Sequence, residues 1–495
     1  MAAPAIHRTL DHVSFSSLRP SACPALGRIV ASRDGGLCRV KLPGGRLSAA
    51  QAIAIADAAQ TFASGVVELT NRANLQLRGV RDGAQAALTQ QLLDAGLGPR
   101  VQHTADARDG AHTLADAQDL ARQTAIADDV RNLMLSATAG CDAGALYDTT
   151  SLAGPILSRL ENEPRFAALS PKFSVLLDGG EHLAALDHPH DVWLSPMTAG
   201  AGEESMFAFG LAGHPTSHPG GAIAAVRAGD VPALVHALLN TFLDLATHDH
   251  RRMRDLLGAR RADDVADRAA ASAGVALHRN AAVNDWRRTP ANPLRRFGAW
   301  PQRNAGMWHV GAQAPLGRID APTLRAVAQL CRSSAPDGFR VTPWQGLLIP
   351  DVAGPDVPRI ERALDRLGMI RSPQAPLGRM IACAGSTGCA RALADTKADA
   401  RELAARLQAG VEVHLSGCIR SCAAAHRAPW TLLAVAPGHY DLYRHTAANA
   451  TPDATGLCRD DVSRFGKRIA THMTLEAIAL RLNSQDNSQD RIAQP

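Results

Sequence analysis

Aromatic residues are scarce in this chain, and it has no long apolar run. Phe, Trp and Tyr make up only 4% of its 495 residues, which disfavours a protein that stacks nucleic-acid bases on aromatic rings. No uninterrupted apolar stretch approaches the roughly 18 residues of a membrane-spanning helix. The net charge of +5 is small for this length. We therefore expect neither a nucleic-acid partner nor a membrane partner.

The first twenty residues contain no apolar segment of the kind found in secretory signals. We therefore expect a cytoplasmic protein, in which thiols stay reduced and disulfides are disfavoured. Apolar residues form 46% and charged residues 20% of the chain, as in ordinary globular proteins. The chain is too long for one core, so several domains are expected.

Four of the nine cysteines form two close pairs near the C-terminal end. Five residues separate Cys383 from Cys389, and three separate Cys418 from Cys422. Two short loops that each bring a pair of thiolates can surround a [4Fe-4S] cluster. Glycines beside them allow the backbone to turn tightly around such a bulky group. These glycines are Gly385, Gly388 and Gly417.

Two other interpretations of cysteine apply. A structural zinc site also uses four thiolates, but usually with two to four residues between paired ligands, so zinc stays an alternative for these four residues. Free cysteine is often a small buried apolar residue. That is our expectation for Cys38, Cys141, Cys331 and Cys458.

An internal repeat organises the whole chain. Leu42–Leu47 recurs 272 residues later as Ala314–Ile319, and the same offset carries Thr70 onto Thr342. Further matches at offsets of 248 and 238 pair Arg131 with Arg379, Gly140–Cys141 with Gly388–Cys389, and Val175–Gly179 with Val413–Gly417. Each half therefore holds a smaller unit followed by a larger one.

Local patterns predict strands and helices in both kinds of unit. The small unit is predicted to have a helix at Ser48–Ala63 with Ser48 as N-cap, and strands bounded by glycine. These strands are Gly36–Lys41, Val66–Thr70 and Leu75–Arg78. In the larger units the predicted strands are Phe173–Leu177, Val192–Leu194 and Met206–Leu211, and the predicted helices are Val231–Ala246 and Ala390–Leu407.

Polar residues of the first small unit indicate an anion-binding site. On a strand, Arg72, Asn74 and Gln76 would alternate onto one face, although a solvated polar face would look the same. At the 272 offset the second half has Trp344, Gly346 and Leu348 instead. Other basic residues could join this site and favour a polyanionic ligand. They are Arg39, Arg46, Arg131 and Lys172.

Together these patterns resemble the sulfite/nitrite reductase haemoprotein superfamily. The residues that carry the resemblance are the four cysteines, Thr70–Gln76, Arg131-Asn132 and Pro171–Phe173, and it covers about residues 18 to 480. It implies an α+β, pseudo-twofold fold in which ferredoxin-like units pair and two larger α/β units flank a tetrapyrrole pocket. The implied parts are ferredoxin-like halves at 18–85 and 304–370, larger domains at 110–260 and 371–482, a linker at 261–303 and a disordered tail at 483–495.

The superfamily has two branches, and the residues favour its oxygenases, the precorrin-3B synthases of cobalamin synthesis. The resemblance implies an iron–sulfur monooxygenase-type oxidoreductase that binds precorrin-3A through Arg39, Arg46, Arg72, Asn74, Gln76, Arg131 and Lys172. It would hydroxylate C20 and close a γ-lactone, using dioxygen and an electron donor that the sequence does not identify. The traits shared with this branch are Arg19–Pro24, Lys41–Leu47, Ala382–Gly385 and Leu393–Ala400.

Reductases differ from this chain at two places. They commonly have Pro-Asn after the third cysteine, where this chain has Ile419-Arg420-Ser421, and a second lysine where it has Ser174. In a reductase the residue matching Cys422 also bridges the cluster to a sirohaem iron. A sirohaem-dependent sulfite or nitrite reductase remains the alternative. An electron carrier or sensor is a third possibility, but it would need no basic pocket.

The oxygenase branch also implies a further non-haem iron, whose ligands the sequence does not identify. The candidates are His188, His190, His248, His250, His414, His426 and Cys23. A lone histidine is more often a surface or hydrogen-bonded residue than a metal ligand.

Overall fold

The computed structural model describes residues 23–100, 124–198, 204–216, 221–333, 335, 338–424, 428–445 and 465–489. The expectations for 18–22, 110–123, His426, Cys458 and 490–495 lie outside these residues. The described strands are β1 (Val30–Ser32), β2 (Gly35–Val40), β3 (Arg46–Leu47), β4 (Val66–Leu69), β5 (Leu75–Val80), β6 (Leu133–Leu135), β7 (Val175–Leu177), β8 (His190–Pro196), β9 (Met206–Gly213), β10 (Ala224–Arg227), β11 (Gly298–Pro301), β12 (Met307–Gln313), β13 (Arg318–Asp320), β14 (Phe339–Val341), β15 (Gly346–Ala353), β16 (Met380–Ala382), β17 (Val413–Ser416), β18 (Trp430–Ala436), β19 (His439–Arg444) and β20 (Lys467–Thr474). The described helices are α1 (Ala49–Phe62), α2 (Gln85–Asp94), α3 (Thr150–Asn162), α4 (Val231–Leu245), α5 (Met253–Leu257), α6 (Ala262–Ala273), α7 (Ala281–Asn284), α8 (Ala321–Arg332), α9 (Val357–Arg366), α10 (Gly385–Gly388), α11 (Thr396–Ala404) and α12 (Leu475–Gln489).

The two small units exchange a strand. Their five-stranded sheets have the orders β1-β2-β5-β4-β13 and β11-β12-β15-β14-β3. Strand β3 of the first unit thus pairs with β14 of the second, and β13 of the second pairs with β4 of the first. Apolar side chains of both units, such as Ile55, Leu77, Leu324 and Ile349, share one core. The two units are therefore held together by main-chain pairing as well as by packing.

The repeat seen in the sequence is also a repeat of backbone conformation. Gly44 and Leu316, 272 residues apart, have left-handed φ values of 64° and 52°. Ala73 and Gln345, at the same offset, have φ values of 55° and 59°. Such values are rare outside glycine. Their recurrence in residues of different type means that the turn geometry, rather than the residue, is what the two copies have in common.

The two larger domains have matching sheets. The first has the order β6-β7-β8-β9-β10 and the second has the order β16-β17-β18-β19-β20. In each sheet the first three strands pair in parallel, and the fourth strand pairs antiparallel with both the third and the fifth. Parallel strands place their carboxyl ends, and the loops that follow, at one edge of the sheet. The loops after β16 and β17 contain the paired cysteines.

The predicted helix at Ser48–Ala63 is confirmed as α1. The Ser48 side chain accepts a hydrogen bond from the Gln51 N–H, and the Gln51 side chain accepts one from the Ser48 N–H. This reciprocal pair satisfies two backbone donors that a helix start would otherwise leave without partners.

Two predictions, one about a helix and one about a linker, are corrected. The helix predicted at Ala390–Leu407 is shorter, because Asp395 caps α11 at the Ala398 N–H and 390–395 form a loop. Residues 261–303 are more than a linker, because Val265 of α6 is buried in the core of the first larger domain and β11 belongs to a sheet.

The tail is not disordered from residue 483. Helix α12 continues to Gln489, since Leu482 is buried in the core of the second larger domain. The Asn483 side chain also donates a hydrogen bond to the Arg406 carbonyl. Within the described part of the chain, none of the helices is both long enough and apolar enough to span a membrane.

Candidate functional site

The cysteine loops begin at the carboxyl ends of two neighbouring parallel strands. Ala382, the last residue of β16, is in register with Leu415 of β17. Cys383 directly follows β16, and Cys418 lies two residues after β17. The parallel pairing therefore brings the two loops to the same edge of the sheet.

Backbone contacts hold the first two cysteines. The Gly417 N–H donates to Cys383 Sγ at 3.2 Å, a contact that would stabilise a thiolate. Gly417 has no room for a side chain, because a Cβ there would lie 2.6 Å from Ala392 Cβ. Gly385 has a left-handed φ of 69°, and its carbonyl accepts the Cys389 N–H. These two glycines are therefore required by the loop geometry, as predicted.

Cys422 lies close to the other three thiols and to the first half of the chain. Partial burial raises the pKa of the Cys422 thiol, Cys418, Cys383 and Cys389 raise it further, and Lys172 lowers it. Because such effects weaken with distance, these groups lie within electrostatic range of the Cys422 thiol. The Asn71 side chain also donates to the Cys422 carbonyl at 3.3 Å.

The four cysteines suit an iron–sulfur cluster. All four are free and reach the surface at least in part. In the part of the chain that the structure describes, no three His, Cys, Asp or Glu side chains lie close enough to share one metal ion. A [4Fe-4S] cluster does not need that convergence, because each thiolate binds a separate iron. The described candidates for a further non-haem iron do not form a single-ion site of this kind.

A row of polar side chains from the first ferredoxin-like sheet faces this region. Strand register places Gln76 of β5 opposite both Arg39 of β2 and Glu68 of β4. Burial lowers the pKa of Arg39, and Cys23 and Cys422 act in the opposite direction. Arg78, two residues after Gln76 on β5, donates to the Gly388 carbonyl, so the sheet face that Gln76 shares with Arg39 is directed at the cysteine loops.

Arg72 and Lys172 lie at the contact between the first ferredoxin-like unit and the first larger domain. The Arg72 guanidinium donates to the Lys172 carbonyl at 3.2 Å. Burial lowers the pKa of Arg72 to about 10, and Arg39 and Cys23 are among the charged groups close enough to act on it. Arg72 therefore stays protonated at neutral pH. The structure brings Arg39, Arg72, Gln76 and Lys172 together near Cys422.

The predicted face of three alternating residues is wrong. Strand β5 begins only at Leu75, because Ala73 has a left-handed φ of 55° and the chain turns there. Asn74 is 8% exposed, and its side-chain oxygen accepts the Leu42 N–H at 2.8 Å. The Asn74 side-chain oxygen therefore holds the backbone at Leu42 and is not free to bind a ligand.

Two other predicted binding residues are placed elsewhere. Arg131 is 7% exposed. Its guanidinium is taken up by Asp128 at 2.7 Å and by the Leu97 carbonyl at 3.0 Å. Arg46 lies on the exchanged strand β3, is exposed, and pairs in register with Arg340 of the other sheet. We leave both residues out of the site.

Sequence reasoning missed a charged network beside the cluster loops. Arg78 donates to the Gly388 carbonyl at 2.5 Å and pairs through two hydrogen bonds with Asp34. Glu68 accepts from Arg318 of the exchanged strand at 2.9 Å and lies 3.8 Å from Lys397. The spacing of Gln76 and Arg78 along β5 was the available signal, because residues two apart share a face.

Comparison with known families agrees with this architecture. The family "Nitrite/Sulfite reductase ferredoxin-like half domain" matches residues 30–95 and 300–367. The family "Nitrite and sulphite reductase 4Fe-4S domain" matches residues 126–260. The chain belongs to the sulfite/nitrite reductase superfamily. The second match supports an iron–sulfur cluster in this chain, although the paired cysteines lie in the other larger domain of the superfamily fold.

Relatives in the superfamily include enzymes of both branches. The chain is 28% identical over 460 residues to the precorrin-3B synthase of Sinorhizobium sp., covering 91% of this chain and 88% of that protein. It is 26% identical to the ferredoxin–nitrite reductase of Synechococcus elongatus, covering 78% and 73%. It is 25% identical to the ferredoxin-dependent sulfite reductase of Mycobacterium tuberculosis, covering 78% and 67%. These relatives indicate an oxidoreductase.

The fold also matches that of a solved structure. The Mycobacterium tuberculosis NirA protein superposes with a TM-score of 0.66 at 20% identity, covering 83% of this chain and 74% of that chain. This likeness confirms the predicted α+β architecture.

Proposed function

We propose that this chain catalyses the precorrin-3B synthase reaction, in which dioxygen is used to hydroxylate precorrin-3A at C20 and the ring A acetate closes to a γ-lactone. The observation that carries the proposal is the similarity to the Sinorhizobium enzyme over 91% of this chain and 88% of that one. The nitrite and sulfite reductase relatives align with 78% of this chain. The reaction is a step of cobalamin synthesis.

The four paired cysteines are the proposed cluster ligands. They are Cys383, Cys389, Cys418 and Cys422. Support comes from their position after neighbouring parallel strands and from the N–H that Gly417 donates to Cys383 Sγ. A [4Fe-4S] cluster held there would supply single electrons, which dioxygen chemistry requires.

The proposed substrate site is the group of polar side chains beside Cys422. Precorrin-3A carries acetate and propionate arms, which guanidinium groups bind through paired hydrogen bonds. Arg39, Arg72 and Lys172 would hold these arms, and Gln76 would add an amide donor. Fixing the arms orients the ring, which brings C20 to one position relative to the cluster loops. Placing one oxygen atom in the product and the other in water takes two electrons and two protons from the donor and solvent.

Two residues support the oxygenase over the reductase. Ser174 stands where reductases have a second lysine, is 3% exposed, and donates its N–H to Asp191 at 2.9 Å. A serine brings no positive charge to bind a small oxyanion. Ile419 is 41% exposed, and it begins the turn that replaces the reductase Pro-Asn before Cys422.

A sirohaem-dependent reductase is the second candidate, because nitrite and sulfite reductases are among the relatives. Acid–acetone extraction with absorption spectra before and after tests the choice. We expect an iron–sulfur band without a Soret band, and about four irons and four sulfides per chain. Extractable sirohaem would contradict the oxygenase and support the reductase.

A further inference from the structure

Arg72 also borders a cavity in the first larger domain. The cavity has a volume of about 50 Å³ and is lined in part by His190 at the start of β8, Ala212 near the end of β9, and Arg252. A cavity needs only about 10–15 Å³ of such volume to hold one water. The space therefore suits several waters or a small group such as a carboxylate.

His190 has polar atoms in this cavity without partners. It is only 4% exposed, and neither ring nitrogen makes a hydrogen bond to any residue that the structure describes. Buried polar atoms in proteins nearly always have a partner, whether protein, water or ligand. A neutral imidazole offers one N–H donor and one acceptor, so a group in the cavity can accept a hydrogen bond from it.

The charges around the cavity favour an anion over a metal ion. Arg72, Arg252 and Arg254 line it; Arg252 pairs with Asp191 and Arg254 with Asp255, which leaves the Arg72 guanidinium to attract an anion. In the described ranges, Asp191 is the one carboxylate that lines the cavity, and it is already used by Arg252 and by the Met253 N–H. Among the described residues, no carboxylate forms an ion pair with Arg72, whose side chain donates to the Lys172 carbonyl.

The protonation state of His190 is consistent with an anion in this cavity. Burial lowers the pKa of His190 well below its usual range, and Arg72, His188, Arg252 and His214 lower it further. The ring is therefore neutral at pH 7, so the positive charge at the cavity comes from guanidinium groups and His190 offers one N–H donor. The same positive surroundings disfavour an iron at His190, which the sequence had offered as a ligand.

We propose that this cavity binds a carboxylate group, with the Arg72 guanidinium and the His190 N–H as its donors. In the proposed reaction the group is one carboxylate arm of the tetrapyrrole, and only this identification of the ligand rests on the proposed function. The left-handed φ of 56° at Ala212 fits a site built at some conformational cost, since such strain gathers at ligand sites.

The test uses two probes on the full-length protein with its cluster. Acetate reports on the cavity itself and is followed by calorimetry at constant ionic strength. Uroporphyrin III, a stable tetrapyrrole with acetate and propionate arms, is followed by its fluorescence. His190→Phe removes both ring nitrogens, and His190→Gln restores a donor. His248→Phe is the control, because the His248 side chain is 89% exposed in the same domain.

We expect His190→Phe to bind both probes at least about tenfold more weakly, since a charged hydrogen bond is lost. His190→Gln should recover part of the affinity and His248→Phe should match the wild type. Unchanged acetate affinity in His190→Phe would overturn the site. Weaker acetate binding with unchanged uroporphyrin III affinity would overturn the assignment to a tetrapyrrole arm. If His190→Phe does not fold, His190→Gln is compared with His190→Ala. Equal acetate affinities of these two folded variants would overturn the site. Both titrations remain informative even if the wild type fails to convert precorrin-3A.

Discussion

Glu68→Gln should destabilise the contact between the two ferredoxin-like units and the cluster domain. The Glu68 carboxylate lies 2.9 Å from Arg318, 3.7 Å from Arg78 and 3.8 Å from Lys397. Its side chain is 10% exposed, and those of Arg78 and Lys397 are 6% and 4% exposed. The substitution would leave three cations in this region without their shared anion.

The expected magnitude follows from burial. At about 4 Å, one such pair is worth about 4 kcal/mol at an effective dielectric of about 20, before desolvation is counted. Removing one partner of a buried pair costs about 3–5 kcal/mol overall, because the remaining charge stays buried. We expect a loss of this size for Glu68→Gln. Glu402→Gln is the matched control, since its pair with Arg406 is about half exposed and should contribute at most about 0.5 kcal/mol.

The assay is urea unfolding followed by tryptophan fluorescence, which includes Trp300 and Trp308 of the second ferredoxin-like unit. The same experiment tests a pH dependence. Burial alone would raise the pKa of Glu68, but Lys397, Arg78 and Arg318 together hold it below its usual value. Its stabilisation is therefore fully present above the unfolded-state pKa of about 4.3 and is lost as pH falls through the lower folded-state pKa. The Glu68→Gln variant should not show this loss of stability at acidic pH. A destabilisation below about 1 kcal/mol at pH 7 would refute the reasoning.

Three further predictions concern the site. Cys422→Ser should lose iron and sulfide. Cys331→Ser should keep both, because Cys331 is buried in the core between the small units. Iron analysis measures the difference, and a full iron complement in Cys422→Ser would contradict the ligand assignment. Arg72→Ala should weaken precorrin-3A binding by about 1.5–3 kcal/mol, the value of a charged hydrogen bond, and should keep the cluster. Arg46→Ala is the control and should bind precorrin-3A normally. Equal affinities of the two variants in a spectral titration would show that Arg72 does not contact the substrate. Asn74→Ala should lower the free energy of unfolding by about 1–3 kcal/mol, because the buried Leu42 N–H loses its acceptor. A loss of substrate affinity at unchanged stability would instead show that Asn74 is a binding residue.

The sequence repeat predicted the duplicated conformation but not the strand exchange. An offset of 272 residues relates Gly44 to Leu316 and Ala73 to Gln345, and both pairs share left-handed backbone. The same offset relates β3 to β13, but it cannot tell which sheet each strand joins. That choice is made by pairing across the units, as between Arg318 and Glu68, and no local pattern in the sequence encodes it.

The candidate site was predictable where residue spacing determines geometry. The cysteine pairs were recognised from their spacing, because two short loops limit where four thiols can lie. Arg131 could not be placed, since its partners Asp128 and the Leu97 carbonyl turn a possible ligand group into a buried ion pair. Asn74 was misplaced because the turn at Ala73 interrupts the alternation that a continuous strand would have. Tertiary contacts decided these cases.

Turnover of precorrin-3A under ¹⁸O-labelled dioxygen tests the central claim most directly. The anaerobically purified, cluster-containing protein is reduced chemically, given precorrin-3A and then exposed to the labelled gas, and the product is analysed by mass spectrometry. We predict a product that carries one labelled oxygen atom at C20 and contains a γ-lactone. Unchanged precorrin-3A, together with nitrite or sulfite reduction by the same sample, would contradict the claim.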